Sequence, residues 1–484
     1  MSLSGTLSSA LSGLTASARA AEVVSSNIAN AATPGYARRE LLLTSRTVGS
    51  TGQGVLVSGV RRAVDTPLLG DRRLSQSTSG DADARAAFFR LLEQTLGTPD
   101  QAFSINGRVA AFEAALTEAT SHPESEPRLT SVLNAAKALA SQIGVASKDV
   151  QAARRQANND IKNDVDTLNG ALERVVKLNV QIRRGFGLGQ DTAALQDQRQ
   201  QTIDQIATIV PLRELPQDDG TVSLYTPSGA VLLNGVPAVF GFNASVAINP
   251  YVTTGSGLSG LTINGRPANT SGDRSMVLGG TLGANFAVRD ELAVDAQSQL
   301  DAVARDLVER FADSGLDATR VPGGAGLFTD EGAAFDPLNE VGLSQRIRIN
   351  AVVDPAQGGA LWRLRDGLGA TAPGAAGNTG LLTALRGALI QQREPASGGF
   401  IAGQRSFATF SSDLLSAAAT GRLSAESEAT YARTRMETFV SMEAQDGVDT
   451  DQEMQALLQI EQAYAANAKV IQMAGEMIQR LLDI

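Results

Sequence analysis

Residues 1–30, MSLSGTLSSALSGLTASARAAEVVSSNIAN, place apolar or small side chains at alternating spacings of three and four. The stretch LLQIEQAYAANAKVIQMAGEMIQRL (457–481) repeats this spacing near the other end of the chain. Such a stripe puts one apolar seam along a helix, which is the pattern of a coiled coil. The sequence therefore predicts two long terminal helices that pair with each other. The stripe residues are Leu7, Leu11, Leu14, Ala18, Ala21, Ser25 and Ile28 in the first segment, and Leu457, Ile460, Tyr464, Asn467, Ile471, Ala474, Ile478 and Leu481 in the second.

Composition argues against several classes of function. The 484-residue chain has no cysteine and a single histidine, His122, which we interpret as a loop residue, so metal sites and Ser-His or Cys-His catalysis are not expected. A net charge of −10 argues against nucleic-acid binding, because neutralising phosphates needs clustered Lys and Arg. No apolar run approaches the roughly 20 residues that span a bilayer, so membrane insertion is not expected. The sequence thus indicates no catalytic, metal-binding or cofactor-binding residue.

Patterns between the two ends predict a mainly α chain of the α+β class. Helical periodicity runs over 82–210, most clearly in the stripe from Ile161 to Ile182, and returns over 283–311 and 407–442. Residues 41–64 alternate apolar and polar side chains between glycines, which predicts short strands.

A change of composition at Pro211 predicts an inserted all-β domain. Turn pairs such as Asn234-Gly235 and short apolar alternations fill residues 211–280, which is typical of hairpins. The Gly- and Pro-rich residues 315–380 predict loops and edge strands without a core of their own. The expected domains are a coiled-coil-like terminal helical axial domain (1–40 with 446–484), a mainly helical middle domain (41–210 with 281–445) and the β insert (211–280).

Two motif-like segments are better explained by local structure. The run Gly185-Phe186-Gly187-Leu188-Gly189 resembles a dinucleotide-binding loop, but it follows a helix and not a strand, so we interpret it as a helix–helix turn. The acidic segment 446–453 lacks the Gly and Glu positions of an EF-hand loop. Thr450 and Glu453 instead fit a capping box, in which each side chain bonds the backbone amide of the other residue.

Asn467 interrupts the apolar stripe of the second terminal segment. If it is buried, its amide fixes the register of the helix pair, because a shift would leave that amide without a partner. The alternative is a solvent-facing Asn on a fraying helix.

The segment SSNIANAATPGY (25–36) is the most specific local signal. A helix should end there, because the residue before a proline is disfavoured in the helical region. This segment and its distal counterpart, EQAYAANAKVI (461–471), resemble the terminal signatures of the bacterial flagellar axial proteins, which comprise rod, hook and hook-associated members. GVLVSGVRR (54–62) and LQDQR (195–199) resemble the hook-associated members. The turn residues Asn27, Asn30, Pro34, Gly35 and Tyr36 join the two stripes as the candidate assembly interface.

This resemblance implies a structural subunit at the junction between hook and filament, neither an enzyme nor a cofactor protein. It implies self-assembly through the terminal helices, with the hook protein and the next hook-associated protein toward the filament as neighbours. It also implies a cytosolic export chaperone on the C-terminal helix and secretion by the flagellar type III apparatus to the extracellular flagellum. The N-terminus lacks the basic and apolar regions of a Sec signal peptide, so that route is not expected.

Two alternatives stay open at this point. Another axial paralogue, such as the hook or a distal rod protein, would share the terminal signatures, although the long helices over 82–210 argue against the rod. A cell-wall glycan hydrolase would need a carboxylate-lined cleft within 211–380, for which the sequence contains no motif.

Overall fold

In the computed structural model, which describes residues 3–48, 51–272 and 275–482, the chain is mainly helical. Its α-helices are α1 (Leu3–Asn30), α2 (Thr66–Leu96), α3 (Ile105–Ser121), α4 (Glu126–Gly187), α5 (Ala193–Ile209), α6 (Gly280–Ala287), α7 (Ala293–Ala312), α8 (Leu343–Arg346), α9 (Arg363–Asp366), α10 (Gly380–Ile390), α11 (Phe407–Gln445) and α12 (Thr450–Leu482). The predicted helical regions are confirmed, although the first begins earlier than expected, at Thr66. Within the described ranges, no helix is long and apolar enough to cross a membrane.

The strands of the described residues form small sheets. They are β1 (Arg39–Val48), β2 (Thr51–Arg62), β3 (Arg213–Pro216), β4 (Val222–Tyr225), β5 (Val231–Asn234), β6 (Val236–Pro237), β7 (Phe240–Gly241), β8 (Thr253–Thr254), β9 (Gly257–Leu258), β10 (Thr262–Ile263), β11 (Arg266–Pro267), β12 (Phe328–Asp330) and β13 (Ile347–Ile349). β3, β4, β5 and β6 form an antiparallel meander, and β7, β10 and β11 form a second antiparallel sheet.

β1 and β2 form an antiparallel hairpin that lies along α1. The amide of Val55 donates to the hydroxyl of Ser12 at 3.1 Å. Gly54, with a φ of +90°, lies so close to α1 that a Cβ there would stand 3.0 Å from the Cα of Ser9. The hairpin therefore covers one face of α1, and a different face of this helix contacts α12.

The largest core lies where α3, α4, α7, α10 and α11 meet. Phe112, Phe311 and Phe328 pack there with ring centroids 5.0–5.9 Å apart, in edge-on or tilted arrangements. α11 also packs along α2. Helices from before and after the β segment are thus joined into one body, as the sequence predicts.

The β segment shares its core with the helical body. Leu224 and Leu233, from adjacent strands, are buried in the same cluster as Ile161 and Leu168 of α4 and Ile206 of α5. Two- to four-residue strands bury little apolar surface against each other, so the helices supply the opposite wall. Residues 211–280 contain several short strands, but in the described part of the chain they share their hydrophobic core with α4 and α5, so a separate all-β domain is not confirmed.

The terminal helices α1 and α12 pack against each other in opposite directions. Gly13 faces Asn467 near the middle of the pair, and Asn27 contacts Glu453 at the end nearest the body. Going from Gly13 to Asn27 along α1, the contacts on α12 run backward from Asn467 to Glu453, so the two helices are antiparallel.

The face of α1 that contacts α12 consists of residues that each lie one position before a residue of the predicted stripe. Its buried and half-buried members keep the 3-4 spacing and, apart from Val24, are small or polar: Ala10, Gly13, Ser17, Ala20, Val24 and Asn27. The predicted stripe lies roughly 100° farther round the helix. On that stripe Leu7, Leu11, Ala18 and Ser25 are exposed, and Leu14, Ala21 and Ile28 are half-buried. Leu11 keeps 57% of its surface in solvent, so the prediction that this stripe forms the seam with α12 is wrong: small side chains, and not leucines, permit the close approach.

The stripe of α12 lies nearer to its predicted position. Ala474 is buried, Leu457, Ile460, Asn467 and Ile471 are half-buried, Tyr464 and Ile478 are exposed, and the side chain of Leu481 falls outside the described part of the chain. Asn467 donates from Nδ2 to the carbonyl of Ala463, in its own helix, at 2.9 Å. Its amide therefore bonds within α12 and not across the pair, so the proposed fixing of register by an interhelical amide bond is wrong.

Gly13 provides a test of this packing. A Cβ on Gly13 would lie 2.8 Å from the side-chain amide of Asn467, whereas a Cβ on Gly475 of α12 would meet no atom within 4 Å. Leucine is better than glycine in a helix by nearly 1 kcal/mol, so Gly475→Leu should preserve or increase the protection of α12 amides from hydrogen exchange. Gly13→Leu should lower that protection, because it forces the helices apart. Equal or greater protection in Gly13→Leu would contradict the close contact at this position.

Candidate functional site

Asn27, in the last turn of α1, is the centre of a buried polar cluster. Its Nδ2 donates to the carbonyl of Arg39 at 3.0 Å and to Glu453 Oε2 at 3.1 Å. Its Oδ1 accepts from the hydroxyl of Tyr36 and from the backbone amide of Arg39, both at 2.9 Å. An asparagine amide offers two donors and two acceptor sites, and all four are used here. One side chain thus joins α1, the turn that follows it, the start of β1 and α12.

The turn after α1 is shaped by Pro34 and Gly35. Gly35 has a φ of +75°, in the left-handed region that favours glycine, and it reverses the chain so that Tyr36 reaches back to α1. The Tyr36 ring lies 4.8 Å from the guanidinium carbon of Arg39, within the range of a cation–π contact. The carbonyl of Pro34 accepts from Gln201 of α5 at 2.7 Å. The Pro-Gly turn predicted from the sequence therefore contacts both α1, through Tyr36, and α5, through the carbonyl of Pro34.

Asn30, the second asparagine of the same motif, has a local role. Its Nδ2 donates to the carbonyl of Ser26 at 2.9 Å, within α1. The structure therefore brings Asn27 and Tyr36 together directly, while Asn30 completes the C-terminal turn of the helix.

Glu453 brings α12 into the cluster. Its carboxylate is almost fully buried and accepts from Arg38 Nε at 2.7 Å as well as from Asn27. The start of α12 is capped by Asp449, whose Oδ1 accepts from the amides of Asp451 and Gln452 at 2.9 and 3.2 Å. The predicted capping box is therefore wrong: Glu453 bonds to tertiary partners.

Asp197 of α5 holds the cluster from the other side. It accepts from Arg62 Nε at 2.7 Å, from Arg39 Nη2 at 3.2 Å and from the amide of Ala37 at 3.4 Å. Arg38 and Arg39 are consecutive at the start of β1, and they pair with carboxylates on different helices, Glu453 and Asp197. We call the set Asn27, Tyr36, Arg38, Arg39, Arg62, Asp197 and Glu453 the polar hub.

Charged side chains extend from the polar hub into the body. Arg73 of α2 is almost completely buried and pairs with Asp204 at 2.7 Å and Glu214 at 2.6 Å. Arg72 pairs at 2.7 Å with Glu443 near the end of α11. The connections that follow α1 and α11 come together here: residues 31–38 and 446–448 both line a cleft of about 560 Å³.

Hydrogen bonding and burial shift the pKa values of two groups beside the hub. The hydrogen bond from Arg61 holds the pKa of Glu40 below its usual value. Burial lowers the pKa of Arg199 to about 10, and its guanidinium bonds Asn179 at 2.9 Å and the carbonyl of Gly220 at 2.8 Å. Both groups stay charged near neutral pH, so the arrangement is suited to fixing geometry.

Sequence reasoning missed Glu453, Asp197 and the arginine doublets as site residues. The available signals were a glutamate one turn before the predicted stripe of α12 and two Arg-Arg pairs near the ends of the segment predicted to form short strands. Among the residues that the structure describes, no group of three or more His, Asp or Glu side chains is arranged to hold a metal ion.

Comparison with known proteins matches three parts of the chain to flagellar families. Residues 89–328 match the model of the flagellar hook-associated protein FlgK helical domain. Residues 7–36 match the flagella basal body rod protein model, and residues 443–484 match the flagellar basal body rod FlgEFG protein C-terminal model. Together, the three matches make the chain similar to flagellar axial proteins near both ends and across residues 89–328.

Individual relatives narrow this class. Flagellar hook-associated protein 1 of Salmonella typhimurium is 29% identical over 243 residues, which cover 49% of this chain and 44% of the relative. The protein of the same name from Escherichia coli is 25% identical over 316 residues, covering 64% and 56%. The chain is similar to flagellar hook-associated protein 1, and it matches about half the length of these relatives.

A solved structure, of the flagellar hook junction protein FlgK from Burkholderia pseudomallei, overlaps this chain with a TM-score of 0.44 at 19% identity. The overlap covers 54% of this chain and 46% of that one. The low score means that this overlap adds nothing to the family assignment.

Removing Glu453 should loosen the start of α12. Glu453→Ala removes one buried partner from Arg38 and one from Asn27, which costs about 1–3 kcal/mol of local stability. Hydrogen exchange of the first turns of α12 in the full chain measures this loss. Glu461→Ala, which removes an exposed carboxylate of the same helix, is the matched control. Indistinguishable exchange in the two variants would show that the buried carboxylate does not anchor α12.

Proposed function

We propose that this chain is a structural subunit of the bacterial flagellum that forms the junction between hook and filament. The observation that carries the proposal is the arrangement of the family matches. A rod-type match at each end flanks a hook-associated helical domain, and the two end segments pack together as α1 and α12. A subunit that stacks along a tube needs its N- and C-terminal helices held together. The polar hub holds them, because Asn27 of α1 bonds to Glu453 of α12.

The partners follow from this role. We propose that the chain self-assembles in a coiled-coil-like axial layer and contacts the hook protein on one side and the next hook-associated protein on the other. The exposed stripe of α1, with Leu7 and Leu11 in solvent, supports contacts between subunits, because large exposed apolar side chains on a helix mark interaction surfaces. The remaining stripe and turn residues predicted from the sequence are candidates for the same interface.

Export completes the proposal. We propose that the flagellar type III apparatus secretes the chain from the cytosol to the extracellular flagellum, and that a cytosolic chaperone covers α12 beforehand. Exposed apolar residues of α12, among them Met473 and Met477, support a need for such a cover. The relatives are flagellar hook-associated proteins, so we propose neither an enzymatic activity nor a cofactor for this chain.

The alternative role is that of another axial paralogue, a hook or distal rod protein. The rod-type models at the two ends favour it, while the match of residues 89–328 favours the hook-associated role. Imaging flagella of a strain that lacks the gene distinguishes the two. Hooks without filaments, with filaments restored by a plasmid copy, support the junction role. Missing hooks or rods would replace it with the paralogue role, and normal filaments would contradict both.

Charge on the α1 stripe should block assembly without unfolding the subunit. Leu11→Asp places a carboxylate at a position that is exposed in the single chain, so the folded subunit should stay soluble and exportable. In the assembled state the same charge would be desolvated, which is unfavourable without a partner. We expect few filaments and low motility, with export unchanged. Val246→Asp, at a fully exposed position of the β segment, is the matched control and should assemble normally. Equal filament numbers in the two variants would exclude this stripe from the assembly contact.

A further inference from the structure

The connection between α4 and α5 forms an exposed apolar tip. Phe186 keeps 59% and Leu188 keeps 73% of its surface in solvent. Arg184, in the last turn of α4, has no ion pair or side-chain hydrogen bond among the described residues. The helix dipole favours a cation at this end of α4, but it does not account for two large apolar side chains in solvent. We call Arg184, Phe186 and Leu188 the α4 tip.

The first turns of α12 carry a second exposed patch of opposite charge. Met454 keeps 49% and Leu458 keeps 56% of its surface in solvent, and their spacing of four places them on one helix face. Asp451, one turn earlier, is exposed and joins no ion pair in the described part of the chain. Asp446 and Asp449, just before the helix, are also exposed. We call Asp451, Met454 and Leu458 the α12 patch.

Both surfaces lie close in sequence to residues of the polar hub. Leu188 of the α4 tip lies nine residues before Asp197 in the sequence. Met454 of the α12 patch directly follows Glu453. Asp197 and Glu453 are held by Arg39 and Arg38, which are neighbours in sequence at the start of a strand. Successive side chains of an extended segment point to opposite sides. The tip therefore leads into α5 and the patch lies on α12, the two helices that Arg39 and Arg38 hold through these carboxylates.

We propose that the α4 tip of one copy docks on the α12 patch of a second copy. The occupant is another copy of this chain because the two surfaces complement each other in charge and apolar character, and because each is left exposed in the single chain. A contact between two different surfaces is heterologous, and its repetition builds a ring or a helical array. An aromatic and an arginine beside aliphatic residues are the composition of an interface hot spot. This inference rests on the proposed role as an axial subunit and names one of its lateral contacts.

Cysteine cross-linking tests the contact in assembled flagella. The chain has no native cysteine, so Leu188→Cys with Leu458→Cys introduces one thiol on each surface. A short thiol-reactive cross-linker should convert this double variant into a ladder of multimers. Either single variant should give no more than dimers. Leu338→Cys with Leu458→Cys is the control, since Leu338 is an exposed residue remote from the hub in sequence.

The outcomes separate this inference from the proposed function. A ladder in the Leu188/Leu458 variant and none in the control supports the contact. Assembled flagella that contain the double variant but yield no ladder, or the same ladder in the control, overturn it and leave the junction role standing. Absence of the unsubstituted chain from purified flagella overturns the junction role itself.

Charge exchange provides a second test. Arg184→Glu places like charges opposite each other in the docked pair, and so does Asp451→Arg, and each alone should reduce filament number about tenfold. The combination restores opposite charges across the contact and should recover most of the filaments. Normal filament numbers in both single variants, or no recovery in the combination while the chain is still exported, would overturn the proposed pairing.

Discussion

The four hydrogen bonds of the Asn27 amide are the interaction on which the arrangement of this chain depends. They join the end of α1, the Pro-Gly turn, the start of β1 and, through Glu453, the start of α12. Each bond satisfies a buried polar atom, so losing any one leaves a desolvated donor or acceptor. The hub therefore favours a single orientation of the terminal helices relative to the body.

The rest of the terminal region follows from this fixed orientation. The small residues of α1 let α12 approach, the hairpin covers a second face, and Leu7 and Leu11 of the predicted stripe are left in solvent. A single chain thus satisfies the amide of Asn27 internally while large apolar side chains such as Leu11 stay exposed for neighbours. This arrangement suits a subunit that must stay folded as a single chain and that binds neighbouring subunits through its exposed apolar side chains.

Most elements could be predicted from the sequence, whereas their contacts could not. Periodicity marks the stripe over Ile161–Ile182 because large apolar residues there are buried. On α1, however, Leu7 and Leu11 are exposed, and the contact face consists mainly of small residues. The periodicity of large apolar side chains therefore indicates the face of α1 that carries the leucines, which lies next to the face that contacts α12. Glu453 could not be placed from sequence either, because its partners lie more than 400 positions away, in Arg38 and Asn27, and local spacing indicates only a cap.

The most direct test of the hub is a distance between the terminal helices and the body. Spin labels on Val470→Cys in α12 and Lys177→Cys in α4 occupy exposed positions in a chain with no other thiol. Pulsed electron resonance should give one narrow distance distribution, which Asn27→Ala should broaden and Asn30→Ala, which loses only bonds local to the end of α1, should leave narrow. A narrow and unshifted distribution in the Asn27→Ala chain would contradict the claim that this amide sets the orientation of the terminal helices.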